Sequence, residues 1–405
     1  MRRAVSIRCA LSVFLLMFLS ASCAVLPGNW RPGRNGPLEE KGERKPAAMT
    51  HANFAVEEKE REDQTFIGLA LSGGGSRAAN FSAAVMLELK KRGILERVDF
   101  ISSVSGGSLP AAYYALEGYN GISFTEEEVR ERMGRNFQNQ WIGRWFLPQN
   151  MFRYWLTNFT RSDIMVQVFE SNLYHGATYV DLNPKRPKLL INATDRGKGV
   201  RFTFSEETFR ELGSDLSSYR ISSAVNVSSA FPGVFQDVAL QDFKESRAGS
   251  PVYLHLFDGG PIDNLGIRSL WSFELPSALA GAVGPEGTFT ANFPKGCVLI
   301  SVDASPDRAD PDRNRLDSRK AIDYFIDRNA LEASDVMLLR IRGDLLEAVG
   351  MVSPREIDED IFTEFDLYGK PENRCRVWHI ALRHLLRVPE RRPLAERVNN
   401  IQTKF

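Results

Sequence analysis

Phe66-Ile67-Gly68-Leu69-Ala70-Leu71 runs without a break into Ser72-Gly73-Gly74-Gly75-Ser76-Arg77, and the architecture turns on this stretch. The apolar run reads as a buried strand, and beyond the glycines Phe81, Ala84, Val85 and Leu89 recur on one helical face. Lys90, Lys91 and Arg92 fill the last turn of that helix and Gly93 follows, which is where a helix of this kind stops. Three adjacent glycines leave successive backbone N–H groups unshielded, and the helix dipole adds positive potential, so the loop is suited to holding an anion. The loop lacks the lysine and spacing of a P-loop and does not fit G-x-G-x-x-G, so taken alone it leaves the anion open.

Further short apolar stretches lie at 98–104, 189–191, 252–257 and 298–302, each ending in Gly, Ser or Asp, with helical patterns between several of them. That alternation predicts an α/β fold, a three-layer α/β/α sandwich with a mainly parallel sheet. The second stretch, Val98 to Val104, turns sharply through Ser105-Gly106-Gly107-Ser108 into a helix over 111–116. Pro110 donates no N–H and is tolerated only in a first turn, which sets the helix start near Gly106 or Gly107. A serine between strand and helix, flanked by small residues, has the character of a nucleophile elbow. The same position also suits a helix N-cap.

A nucleophilic serine needs a base, and none of the five histidines (51, 175, 255, 379, 384) is well placed. His255 precedes Asp258 by three positions on an expected strand, so their side chains point to opposite faces. Asp258 itself follows the apolar run 252–257 and precedes Gly259-Gly260, a turn at the kind of strand end where functional groups gather in open α/β sheets. A carboxylate there can take the Ser105 proton directly if its surroundings raise its pKa. An Asp-Gly-Gly turn with no chemistry is the plainer alternative.

Taken together, Gly73-Gly74-Gly75-Ser76-Arg77, Ser103-Val104-Ser105-Gly106-Gly107 and Phe257-Asp258-Gly259-Gly260 resemble the patatin-like phospholipase family. Ile191-Asn192-Ala193-Thr194-Asp195, the run Ser228 to Phe235, and Asp263-Asn264 are similar to further segments of it. The resemblance covers about residues 66–270, with an expected extension through the strand 298–303. It implies a metal-independent serine lipid acyl hydrolase without cofactor, in which Ser105 is the nucleophile, Asp258 the base, and the N–H groups of Gly73, Gly74 and Gly75 the oxyanion hole. Arg77 matches the family arginine after the glycines, there to order the loop or meet a lipid phosphate. Ser72, Ala78 and Ser103 depart from the commonest residues of the pattern. The rival readings are a catalytically silent envelope scaffold with the same fold and a dinucleotide-binding oxidoreductase; the latter leaves the Ser105 elbow unexplained.

The 405 residues carry 51 Lys+Arg against 51 Asp+Glu, so no global positive field exists to capture nucleic acid. Four cysteines (9, 23, 297, 375) form no C-x-x-C pair and no zinc spacing, and a chain of this size needs no metal or disulfide to build a core. Arg2, Arg3 and Arg8, an apolar run over 11–19, and Ser20-Ala21-Ser22 before Cys23 match a secretory signal and resemble a bacterial lipobox. The expectation is therefore export to a bacterial envelope over residues 1–22, lipidation at Cys23, and a flexible tether over 23–63, rich in Pro, Gly and charge. An acyl hydrolase domain is expected over 64–310 and a C-terminal extension packing on it over 311–405. Residues 125–174 form a mainly helical insertion rich in aromatics. Its plainer reading is a packed layer, and its sharper one a lid or lipid-facing surface. The expected partners are an acyl-ester lipid and a membrane surface; nothing in the pattern addresses oligomeric state.

Overall fold

The computed structural model describes residues 35–38, 65–247, 250–271, 293, 295–305, 328–351, 362–366, 374–391 and 393. The expected signal segment, Cys23 and the rest of the tether lie outside them. Residues 35–38, inside the expected tether, are docked: Asn35 donates to Ser214 Oγ and the Gln241 carbonyl, both at 2.9 Å, and its Oδ1 accepts the Gln241 N–H. A freely swinging tether therefore does not describe these four residues.

Nine strands form one sheet among the described residues. They are β1 (Phe66–Leu71), β2 (Phe100–Val104), β3 (Lys188–Asp195), β4 (Val200–Phe204), β5 (Val238–Arg247), β6 (Ser250–Asp258), β7 (Cys297–Asp303), β8 (Phe362–Asp366) and β9 (Arg374–Ala381). The order across the sheet is β5-β6-β3-β2-β1-β7-β9-β8, with β4 also on β3. The five central strands, β3 to β9 in that order, are parallel, and β4, β5, β6 and β8 add antiparallel flanks. The sheet is thus mixed around the parallel centre that the alternating pattern predicts.

The helices are α1 (Gly75–Lys91), α2 (Ser108–Ala115), α3 (Glu126–Met133), α4 (Phe137–Trp145), α5 (Pro148–Leu156), α6 (Arg161–Phe169), α7 (Glu206–Glu211), α8 (Ile221–Ser228), α9 (Gly260–Asp263), α10 (Arg268–Trp271) and α11 (Arg328–Ala348). Side chains alternate across a strand, so β1 feeds two cores. Ile67, Leu69 and Leu71 join Met86 and Leu89 of α1, Ala111 and Tyr114 of α2, and Val168 of α6 on one face. Phe66 and Ala70 join Leu270, Leu345, Leu346 and Val377 on the other. The C-terminal segment therefore does more than pack on the domain. It supplies β8 and β9 to the sheet and α11 to the second layer, and Cys375 of β9 is paired as a disulfide with its register partner Cys297 of β7.

The insertion is helical as expected (α3 to α6), with a capping box at Thr160 and Asp163 opening α6. Its aromatics divide. Phe137 and Phe159 are buried and Trp141 packs edge-on against Phe235 at 5.3 Å, whereas Phe146 and Trp155 face solvent.

Candidate active site

The C-terminal ends of β1, β2 and β3 lie side by side, and β6 brings its own C-terminal end to the same edge. Val104 pairs with Asn192 and Ala193 with Asp258, so one strand separates the rows that carry Ser105 and Asp258, a gap of about 10 Å between Cα atoms for strands at ~4.8 Å spacing. Two side chains reaching over the end of β3 close that gap: the Ser105 hydroxyl comes near enough to the Asp258 carboxylate to favour its charged form. Both residues are 4% exposed.

Ser105 stands at φ 51°, in the left-handed region that a non-glycine residue rarely occupies. That strain, between the end of β2 and the turn leading into α2, is the signature of an elbow that pushes a side chain out of the chain's path. What holds it is packing against the β1–α1 loop. A Cβ on Gly106 would lie 2.0 Å from the Gly75 carbonyl oxygen, and one on Gly107 2.6 Å from that of Ser72. Ser103, in place of the pattern's first glycine, is fully buried and the turn closes around it.

A buried polar seam fixes the elbow from below. The Ser105 N–H donates to Ser228 Oγ at 2.8 Å, and Ser228 in turn donates to the Asn192 carbonyl at 2.6 Å. The Asn192 carboxamide donates to Ser102 Oγ (2.9 Å) and the Ser103 carbonyl (3.1 Å), and accepts from Thr203 (2.9 Å) and Ser269 (2.6 Å). Every polar atom of that side chain is satisfied, the condition under which a buried network adds rigidity. Ser228 and Asn192 fall in segments singled out above, but their bonding partners lie 123 and about 90 positions away, and no local pattern reveals that.

Burial pushes the Asp258 carboxyl up to about 6, against the Gly260 N–H that donates to Oδ1 at 2.8 Å and the Ser105 hydroxyl, both of which favour the charged form. Gly259 is required where the chain passes the end of β3, because a Cβ there would meet the Asn192 carbonyl at 2.6 Å.

The glycine loop differs from expectation in one donor. The Gly73 N–H is taken by the Asn264 carbonyl at 2.9 Å, which removes it from the set open to an oxyanion. Gly74 (φ 135°) and Gly75 (φ 57°) carry N–H groups without a protein partner among the described residues. Arg77 is buried and its Nε donates to the Ala304 carbonyl at 2.7 Å, so it ties the loop to the end of β7; the alternative, a guanidinium open to a lipid phosphate, does not fit that burial. Beside Ala304, burial opposes the charge on Asp303, yet Arg342 of α11, with His379 and Arg383, holds its carboxyl well below the usual range. Among the described residues no histidine is bonded to Ser105; His255 pairs with Asp237 at 2.9 Å and His379 lies 3.5 Å from Asp303. No group of three or more His, Cys, Asp or Glu among the described residues is arranged to hold a metal ion.

A strained serine at a strand–helix turn, a buried carboxylate facing it, and bare glycine amides on the adjoining loop make up the candidate site of this α/β protein. The family model described as patatin-like phospholipase matches residues 69–271, half of the sequence, and the chain belongs to that family. Similar solved structures include human GIVD cytosolic phospholipase A2 (15% identity, TM-score 0.44, covering 79% of this chain and 51% of that one). VipD from Legionella pneumophila is another (13%, 0.31, 83% and 66%), as is the ExoU–SpcU complex of the Pseudomonas aeruginosa type III secretion system (14%, 0.26, 71% and 52%). The chain thus spans about half the length of the phospholipase A2. No curated protein sequence matches it.

Proposed function

We propose that the protein is a serine lipid acyl hydrolase that cleaves fatty-acyl esters of membrane lipids through a Ser105–Asp258 dyad. The observation that carries this reading is the approach of the strained Ser105 hydroxyl to the buried Asp258, whose charged form it favours while burial pushes the carboxyl up to about 6. Ser105 Oγ attacks the ester carbonyl while its proton passes to Asp258. Negative charge builds on the carbonyl oxygen against the N–H groups of Gly74 and Gly75, each donor of this kind being worth about 3–4 kcal/mol in acyl transfer. The tetrahedral adduct collapses, the leaving alcohol takes the proton from Asp258, and an acyl-serine remains. Water then attacks the acyl-serine, giving its proton to Asp258; on collapse the fatty acid leaves and the proton returns to Ser105. No step calls on a metal ion, so activity is expected to survive EDTA.

The test is covalent labelling by a fluorophosphonate. Stoichiometric labelling of the folded protein, lost in Ser105→Ala, is expected. Absence of labelling in well-folded wild type would instead favour a silent scaffold. We further propose that the chain is exported and lipidated at Cys23, which metabolic labelling with a fatty-acid analogue checks: the label should vanish in Cys23→Ser.

A further inference from the structure

Two asparagines border the dyad, and they differ. Asn192 is sealed from solvent, and every polar atom of its side chain is bonded. Asn264, which closes the short helix α9 after Asp258, is only 8% exposed, yet its carboxamide has no hydrogen-bond partner among the described residues. Only its backbone is engaged, the carbonyl accepting the Gly73 N–H at 2.9 Å. A carboxamide held nine-tenths out of water and left unpaired is a cost to folding, and such groups are rare in native proteins. One that stands beside a reacting centre is accounted for by what binds there.

Two glycines show where this side chain points. A Cβ on Gly73 would lie 2.5 Å from Asn264 Oδ1 and 3.4 Å from the Ser105 Cβ. One on Gly260 would lie 3.1 Å from the same Oδ1 and 3.0 Å from Asp258 Oδ1. The carboxamide oxygen therefore occupies space that both glycines leave bare, with Ser105 to one side and the Asp258 carboxylate to the other. Gly73 gains a purpose from this, since its own N–H is spent on Asn264: its missing side chain makes room beside the dyad. Leu338 of α11 reaches the same place, its Cδ2 at 2.9 Å from the Gly260 Cβ position, and gives the two oxygens an apolar neighbour.

We propose that Asn264 is a catalytic residue of the second half-reaction, in which its Oδ1 holds the water that cleaves the acyl-enzyme and makes the site choose water over alcohols as acyl acceptor. The proposal rests on the hydrolase reading. Once Ser105 is acylated, the attacking water must bring one O–H to the Asp258 carboxylate. Its second O–H needs an acceptor as well, and Asn264 Oδ1 stands free beside the dyad. With both hydrogens engaged, a lone pair of the water is left for the acyl carbon. The water oxygen bonds to that carbon as the first proton passes to Asp258. On collapse the bond from that carbon to Ser105 Oγ breaks, Oγ takes the proton back, and the second hydrogen leaves on the fatty acid.

An alcohol carries a single O–H, and Asp258 needs it. It gains nothing from Asn264, and its alkyl group would leave the carboxamide oxygen without a donor, which is the kind of mismatch that discriminates most strongly at a buried polar group. A place in the oxyanion hole is the poorer role for this side chain. The N–H groups of Gly74 and Gly75 already serve there, and the atom of Asn264 that faces the dyad is an acceptor, which repels developing negative charge.

The test compares full-length wild type with Asn264→Ala and Asn264→Leu, both of which keep the backbone carbonyl that holds Gly73. The substrate is p-nitrophenyl butyrate with glycerol added, and mass spectrometry reads free butyrate against butyryl-glycerol while p-nitrophenol release is followed from the first turnover. Both variants should react with a fluorophosphonate at Ser105 within about twofold of the wild-type rate, because that step expels fluoride and uses no water. They should release p-nitrophenol in a burst, then turn over about tenfold or more slowly, and their ratio of butyrate to butyryl-glycerol should fall about tenfold. An unchanged ratio in either folded variant overturns the proposal. So does loss of labelling in both, which would make the side chain a support of the glycine loop. Equal slowing of labelling and turnover at an unchanged ratio would assign it to the oxyanion hole instead. If wild type neither labels nor cleaves the ester, the hydrolase reading falls and takes this one with it, whereas an active wild type whose variants keep its ratio sinks this one alone.

Discussion

At the scale of single residues, the site depends on a carboxylate kept short of solvent. As the proposed base, Asp258 must be ionised to accept a proton, and its pKa is pushed up to about 6, so kcat/KM on a neutral ester should rise through pH 6 and level off above it. Folding responds in the opposite sense. Because the folded-state pKa lies above the unfolded value near 4, the native state holds the proton more tightly between pH 4 and 6, and stability falls as pH rises through that window. Asp258→Asn should therefore abolish turnover and raise stability at pH 8 by about 1–3 kcal/mol, with no gain at pH 4, as chemical denaturation at the two pH values will show. Ser228 acts through its neighbour. Ser228→Ala leaves the Ser105 N–H without its acceptor, an unmet buried donor costing about 1–3 kcal/mol, and should lower kcat roughly tenfold to a hundredfold with KM unchanged and labelling slowed but complete.

At the scale of elements, two turns sit against each other with no room for a side chain. Gly106→Ala would drive a methyl into the Gly75 carbonyl, separating elbow from glycine loop, and should cost about 3 kcal/mol in urea unfolding together with the activity. These are the turns most legible in the sequence, since a run of glycines after a buried strand has few explanations, and β1 falls at Phe66–Leu71 as the pattern predicts. Strands β4, β5, β8 and β9 were not evident. The sequence of β9, Arg374-Cys375-Arg376-Val377-Trp378-His379-Ile380-Ala381, mixes charge with apolar residues because its flank is half open, and β5 carries Lys244 and Glu245 near an exposed end. Periodicity also failed to show that the Gly73 amide would be taken by Asn264 or that Arg77 would be buried. Both follow from chain crossings of 191 and 227 positions, which no window along the sequence spans.

For the molecule as a whole, the matched family segment is not a complete structural unit. Residues 69–271 supply most of the first core, which Ile67, Ile300 and Val302 complete, but much of the second is built from β7, β9 and α11, which lie beyond it. The Cys297–Cys375 disulfide fastens that addition across a separation of 78 residues, and on a chain-entropy estimate its removal costs about 4.5 kcal/mol. Thermal melts of Cys297→Ala/Cys375→Ala should show a lowered midpoint, insensitive to reductant, whereas the wild-type midpoint falls when reductant is added. The count of four cysteines held this pairing in principle, but strand neighbours set it, and β9 was not foreseen.

Arg77 grips Ala304, whose neighbour Asp303 is locked to Arg342 of α11. The hold on the glycine loop therefore originates in a part of the chain that no motif marks. A library built only around the cleft would leave out some of its most effective positions. Hits that tune reactivity are to be sought at 303, 342 and 379, where a loosened grip reaches the bare amides without any change in what the substrate touches.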